Sequence, residues 1–158
     1  MRATWSERLR DLGIELPPVV APLASYVPAI QVGRQVWTSG QLPLIDGSLP
    51  ATGKVGAAVS AEVAYAYARQ CGLNALAAVD SLVGIDNVER VLKVVGFVSS
   101  DPSFTGQPGV VNGVSDLLDE VFGEAGAHAR SAVGVPVLPL DSPVEVELVV
   151  ELKDGVKR

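Results

Sequence analysis

The chain is short of the residues that usually announce chemistry. It has a single cysteine, Cys71, and a single histidine, His128. One cysteine permits no internal disulfide, which makes the cytoplasm the expected compartment. A basic excess is missing too: the net charge of −6 gives no electrostatic footprint for nucleic acid or for an anionic membrane. No apolar run approaches the roughly 18–20 residues of a membrane span. The opening residues, MRATWSERLRDLGIEL, alternate charged with apolar side chains and lack the apolar stretch of a signal peptide. There is no internal repeat and no low-complexity tract.

What remains is a composition of 48% apolar and 19% charged residues, suited to one compact domain with a real core. Thr4 and Glu7 form a capping-box pattern for a short helix over residues 4–12. IELPPVVAPLA then reads as an extended connector. Residues 1–23 are thus a helix plus connector, and 24–158 a single domain. Two short strands flank a tight turn at Gly33-Arg34. A glycine-rich loop follows, with an edge strand expected near Thr52–Val55. From Ser60 the period becomes helical, with Ala64, Ala68, Cys71, Ala75, Ala78 and Leu82 on one stripe. Such small residues predict close packing on a sheet, with Cys71 an inert core thiol. NVERVLKVVGFVSS is a strand, and a second long helix starts near Pro108 and ends near Gly123, with Val110, Val114, Leu117 and Val121 on its buried face. Strands follow at 130–137 and 144–152. The order predicts an α+β fold: a two-layer mixed sheet with two helices on one face. Its other face must be solvated or covered by another copy of the chain.

Alternation sorts the last two strands. Val144, Val146, Leu148, Val150 and Leu152 form one set, with Glu145, Glu147 and Glu151 opposite. In 130–137, Ser131, Val133, Val135 and Val137 separate from Arg130, Ala132 and Gly134. The expectation is that the mostly apolar sets face the helices, so that Arg130, Ala132, Gly134, Glu145 and Glu147 share the uncovered face. Small residues beside a guanidinium leave a hollow, and the planar fork of Arg130 suits a carboxylate. That carboxylate is either a ligand's or Glu145 itself, in a solvated ion pair of small worth. Tyr26 and Trp37 are read as packing at a subunit seam or lining a cleft, and Trp5 as the anchor of the N-terminal helix. His128 is either a lead-in to the strand or, sharing a face with Arg130, a base.

YVPAIQVGRQVWTSGQLPL, VLKVVGFVSS, VVNGVSDLLDEVFGEAG, HARSAVGVPVLPL and VEVELVVEL occur in the order seen in the YjgF-type Rid family of reactive-intermediate deaminases. The chain resembles that family over about residues 24–152, with an N-terminal extension. The resemblance implies a chorismate-mutase-like homotrimer with a ligand cleft at each seam. It implies hydrolysis of enamine and imine acids such as 2-aminoacrylate to a keto acid and ammonia, with no metal or organic cofactor. By the same resemblance Arg130 clamps the substrate carboxylate and Glu145 orients water or relays protons. Ser39, assigned with them to catalysis, orients the water or the imine nitrogen. Tyr26, Gly40, Asn112 and Ala132 line the cleft, Ala132 standing where many members have cysteine. The expected partners are a small carboxylate-bearing substrate and further copies of the chain, not nucleic acid or membrane. Two alternatives stay open: a non-catalytic carboxylate-binding trimer, and an endoribonuclease, which the acidic net charge opposes.

Overall fold

The computed structural model describes residues 2–157. Its elements are α1 (Trp5–Asp11), β1 (Ala29–Val32), β2 (Gln35–Thr38), α2 (Ala61–Val83), β3 (Val88–Ser99), α3 (Gln107–Phe122), β4 (Ala129–Val135) and β5 (Val144–Leu152). The five strands form one mixed sheet in the order β1-β2-β5-β3-β4. β3 runs parallel to β4 and antiparallel to β5. A parallel pair needs a long crossover, and α3 supplies it.

α2 and α3 cover one face of the sheet. Ser60 caps α2, its hydroxyl accepting from the Val63 amide. The small-residue stripe does what its composition predicts: Ala64, Ala68, Cys71 and Ala75 are fully buried. Close approach also needs two glycines. A Cβ at Gly113 would collide with the Tyr65 carbonyl of α2, and one at Gly96 with Val111 of α3. Burial pushes the Cys71 thiol well above its ordinary pKa, and the charge of Glu145 adds to the shift, so the thiol is inert. Leu82 departs from the expected stripe: it is exposed near the end of α2, and Val79 is buried in its place.

α1 closes the end of the helical layer. Its capping box is formed, with Thr4 and Glu7 bonded reciprocally. The Trp5 indole N–H donates to the Val88 carbonyl at 2.7 Å and packs edge-on to Phe122. The Ser6 amide and hydroxyl both donate to the Asp86 carboxylate, at 2.8 and 2.6 Å. Gly33, at φ 57°, makes the β1–β2 turn.

Three expectations are corrected. No strand forms at Thr52–Val55; Val55 makes only isolated bridges to Val59 and Ser100, because the neighbouring glycines bend the chain away from a ladder. The strand expected over 130–137 stops at Val135, and β3 lies between it and β5. Most consequential, the faces of β4 are the reverse of those expected. In the parallel ladder Val94 pairs with Arg130, Gly96 with Ala132 and Val98 with Gly134. Val94 and Val98 are fully buried beneath the helices, so Arg130, Ala132 and Gly134 face the helical side, while Ser131 and Val133 face the open side. Alternation separates two sets but does not say which is inward on an edge strand that reaches past the core.

Candidate active site

The residues of interest fall into two groups, one on each face of the sheet. On the open face, Glu145 projects from β5 opposite Phe97 of β3. After β2 the chain passes beside β5, tied by reciprocal Gln41–Val146 backbone bonds of 2.8 and 3.0 Å. This brings the bare Cα of Gly40 onto the Glu145 carboxylate: an added Cβ would overlap Oε1 and stand 2.9 Å from Cδ. Glu145 is half-buried, and no hydrogen bond reaches its carboxylate from the described residues. Burial raises its pKa, and the neighbouring Glu147 charge raises it further.

Ser39 precedes Gly40. Its amide donates to the Pro28 carbonyl at 2.8 Å, and its hydroxyl donates to the Val27 carbonyl at 2.5 Å. Its proton is thereby committed, leaving the oxygen as an acceptor. The same bonds hold the segment carrying Tyr26, whose ring is exposed and whose hydroxyl accepts from the Leu23 amide. Farther along this face lies a shallow cavity of about 400 Å³ lined by Trp37, Leu92, Lys93, Val95, Glu147 and Val149. Ile30, Val32, Trp37 and Val133 on the same face are all exposed.

The second group is on the helical side of β4. Pro108, Asn112 and Ser115 recur at intervals of four and three, so they form one flank of α3. Arg130 reaches that flank. Its Nη1 donates to Asn112 Oδ1 at 2.7 Å and to Ser115 Oγ at 3.2 Å, and its Nη2 donates to the Pro108 carbonyl at 3.4 Å. All three acceptors are neutral, and Arg130 has no carboxylate partner among the described residues. The Ser115 hydroxyl in turn lies 2.9 Å from His128 Nε2. Ser115, Pro108 and this use of His128 were not identified from sequence; the 108, 112, 115 spacing was the available signal.

Two readings of this region change. The ion pair between Arg130 and Glu145 does not exist within a chain, because the sheet separates the two side chains. The hollow expected beside Gly134 is occupied: Gln107 Nε2 would stand 2.7 Å from a Cβ built there. Ala132 remains as the small residue next to Arg130, packed partly against the core. Among the described residues no group of three His, Cys, Asp or Glu side chains could hold a metal ion, and no helix is long and apolar enough to cross a membrane.

Comparison with known proteins converges on one family. A family profile described as "YjgF/chorismate_mutase-like, putative endoribonuclease" matches residues 6–152. Protein TCP17 of Trypanosoma cruzi is 45% identical over 148 residues, covering 92% of each chain. The crystal structure of Atu1372 from Agrobacterium tumefaciens is 39% identical, covers 94% of this chain and 92% of its own, and aligns with a TM-score of 0.85. E. coli TdcF with bound serine is 25% identical, covers 87% of this chain and 93% of its own, and aligns with a TM-score of 0.61.

Proposed function

This chain belongs to the YjgF/chorismate mutase-like family, and we propose that it hydrolyses short 2-imino and enamine acids, of the 2-aminoacrylate type, to 2-keto acids and ammonia. The observation that carries the proposal is the state of Arg130. Neutral groups hold it on one side, three of its five N–H donors are used, and two remain, the number that a bidentate carboxylate takes. The serine bound to TdcF is a ligand of that kind, a small molecule with one carboxylate.

The chemistry needs a second group, and within one chain Glu145 faces away from Arg130. The proposed cleft is therefore completed by a second copy, with β4 and α3 of one subunit set against the open sheet face of the next. The exposed Ile30, Val32, Trp37 and Val133 favour such a cover, since an apolar surface of this extent is rarely left in water. A homotrimer is the assembly proposed.

In this site Arg130 holds the substrate carboxylate and fixes the C=N carbon. Glu145 accepts a proton from water as its oxygen bonds to the carbon of the protonated imine, whose nitrogen becomes a neutral amine. The protonated Glu145 then donates to this nitrogen, the C–N bond breaks with its electron pair on nitrogen, and the hydroxyl returns its proton to the Glu145 carboxylate as the keto group forms and ammonia leaves. One water is consumed and no redox change occurs. A raised carboxyl pKa suits a group that must both take and return a proton near neutrality. The Ser39 oxygen, its own proton held by Val27, can accept only from the imine N–H or the water.

The test generates imino acids in situ with an amino-acid oxidase and follows keto-acid release. Wild-type protein should accelerate release, and Arg130→Ala should lose about 100-fold or more in kcat/KM while staying folded. Equal rates with and without protein, across several imino acids, would leave carboxylate binding without catalysis. An endoribonuclease reading has less support: a net charge of −6 opposes a polyanion.

A further inference from the structure

The chain's one imidazole lies at the end of the network behind Arg130. His128 Nδ1 lies 2.6 Å from the Gly126 carbonyl. A carbonyl can only accept, so Nδ1 carries a proton. In the neutral ring Nε2 is then a lone pair. Ser115 Oγ, 2.9 Å away, must donate its single proton to it. With that proton fixed, the Ser115 oxygen presents its lone pairs to Arg130 Nη1 at 3.2 Å. Every group along the line has one available role, running from the Gly126 carbonyl through imidazole and hydroxyl to guanidinium.

We propose that His128, acting through Ser115, is a positioning residue that sets the plane of the Arg130 guanidinium for its carboxylate ligand. Asn112 fixes one hydrogen of Nη1, and Ser115 fixes the other. Without the His128 acceptor, the Ser115 hydroxyl could turn its proton toward Arg130, replacing an attraction with a repulsion. The guanidinium would then be held on one side of Nη1 only, and the fork offered to the ligand would swing. This inference rests on Arg130 being a carboxylate clamp but not on any step of the hydrolysis.

The test uses the full chain and pyruvate as the probe. His128 is the only histidine, so imidazole ¹⁵N signals need no assignment by mutation. In alkaline buffer, above the range in which imidazoles titrate, Nδ1 should show a protonated signal and Nε2 a lone-pair signal. The reverse pattern would overturn the proposal with no variant needed. Pyruvate affinity should fall about three- to tenfold in His128→Phe, the loss expected for one neutral hydrogen bond. It should recover in His128→Gln, whose amide oxygen can still accept from Ser115. Wild-type affinity in a folded His128→Phe would overturn the positioning role and leave the clamp intact. Absence of pyruvate binding by the wild type would remove the clamp, and the positioning role with it.

Discussion

Arg130 and Glu145 stand on opposite faces of one sheet, Arg130 paired with Val94 and Glu145 with Phe97 of the same strand, β3. Adjacent odd and even positions of β3 point to opposite sides, so no side-chain movement within a subunit brings the two together. In the proposed reaction each subunit therefore supplies two half-sites, and the chemistry belongs to a pair.

Gly40→Ala should disable the Glu145 half-site. The added methyl overlaps the carboxylate, so Glu145 must move off its perch on the backbone. Loss of keto-acid release with retained pyruvate binding is expected, at a stability cost of about 1–3 kcal/mol, read by denaturant titration. Unchanged turnover would show that Glu145 works from another position.

The raised Glu145 pKa has consequences of defined sign. Folding holds the proton more tightly than the unfolded chain does, so the unfolded state binds fewer protons and stability falls as pH rises through the folded value. Glu145→Gln should therefore stabilise the protein at neutral pH, and the gain should vanish below the ordinary glutamate range. In turnover, kcat/KM should fall on acidification with an apparent pKa above that range. Glu147→Gln removes the charge that helps raise Glu145 and should move this limb to lower pH.

At the N-terminus the sign is opposite. Burial works to raise the Asp86 carboxyl, but the Ser6 hydroxyl and amide, with Lys153 nearby, outweigh it and hold the group below its ordinary value. The stability it contributes is present above the unfolded carboxyl pKa and is lost as pH falls through the folded one. α1 should loosen first in acid, seen as loss of amide protection over residues 5–11 before the sheet opens. Trp5→Ala, removing the bond to Val88 and the contact with Phe122, should cost roughly 1–3 kcal/mol at neutral pH.

Periodicity made most of the fold legible. α2 and α3 followed from stripes at three and four residues, the β1–β2 turn from Gly33-Arg34, and α1 from Thr4 and Glu7. β5 was readable because its alternation is strict and one set is wholly apolar. β4 was not, for a physical reason. As an edge strand it buries neither side completely, so Val133 and Ala132 give no hydrophobic contrast, and its phase is set by the ladder to β3, which lies far away in sequence. The reversed phase of β4 hid the network from Arg130 to Ser115 and His128. It also made Arg130 and Glu145 appear to be partners within one chain.

Subunit complementation tests the central claim most directly. Arg130→Ala and Glu145→Gln proteins, each inactive alone, are mixed in equal amounts, denatured and refolded together. If each site takes its arginine from one subunit and its glutamate from another, one half times one half of the sites are intact, and about a quarter of wild-type activity should return. No recovery from oligomers shown to contain both chains would place the two residues in one subunit's site and contradict the account.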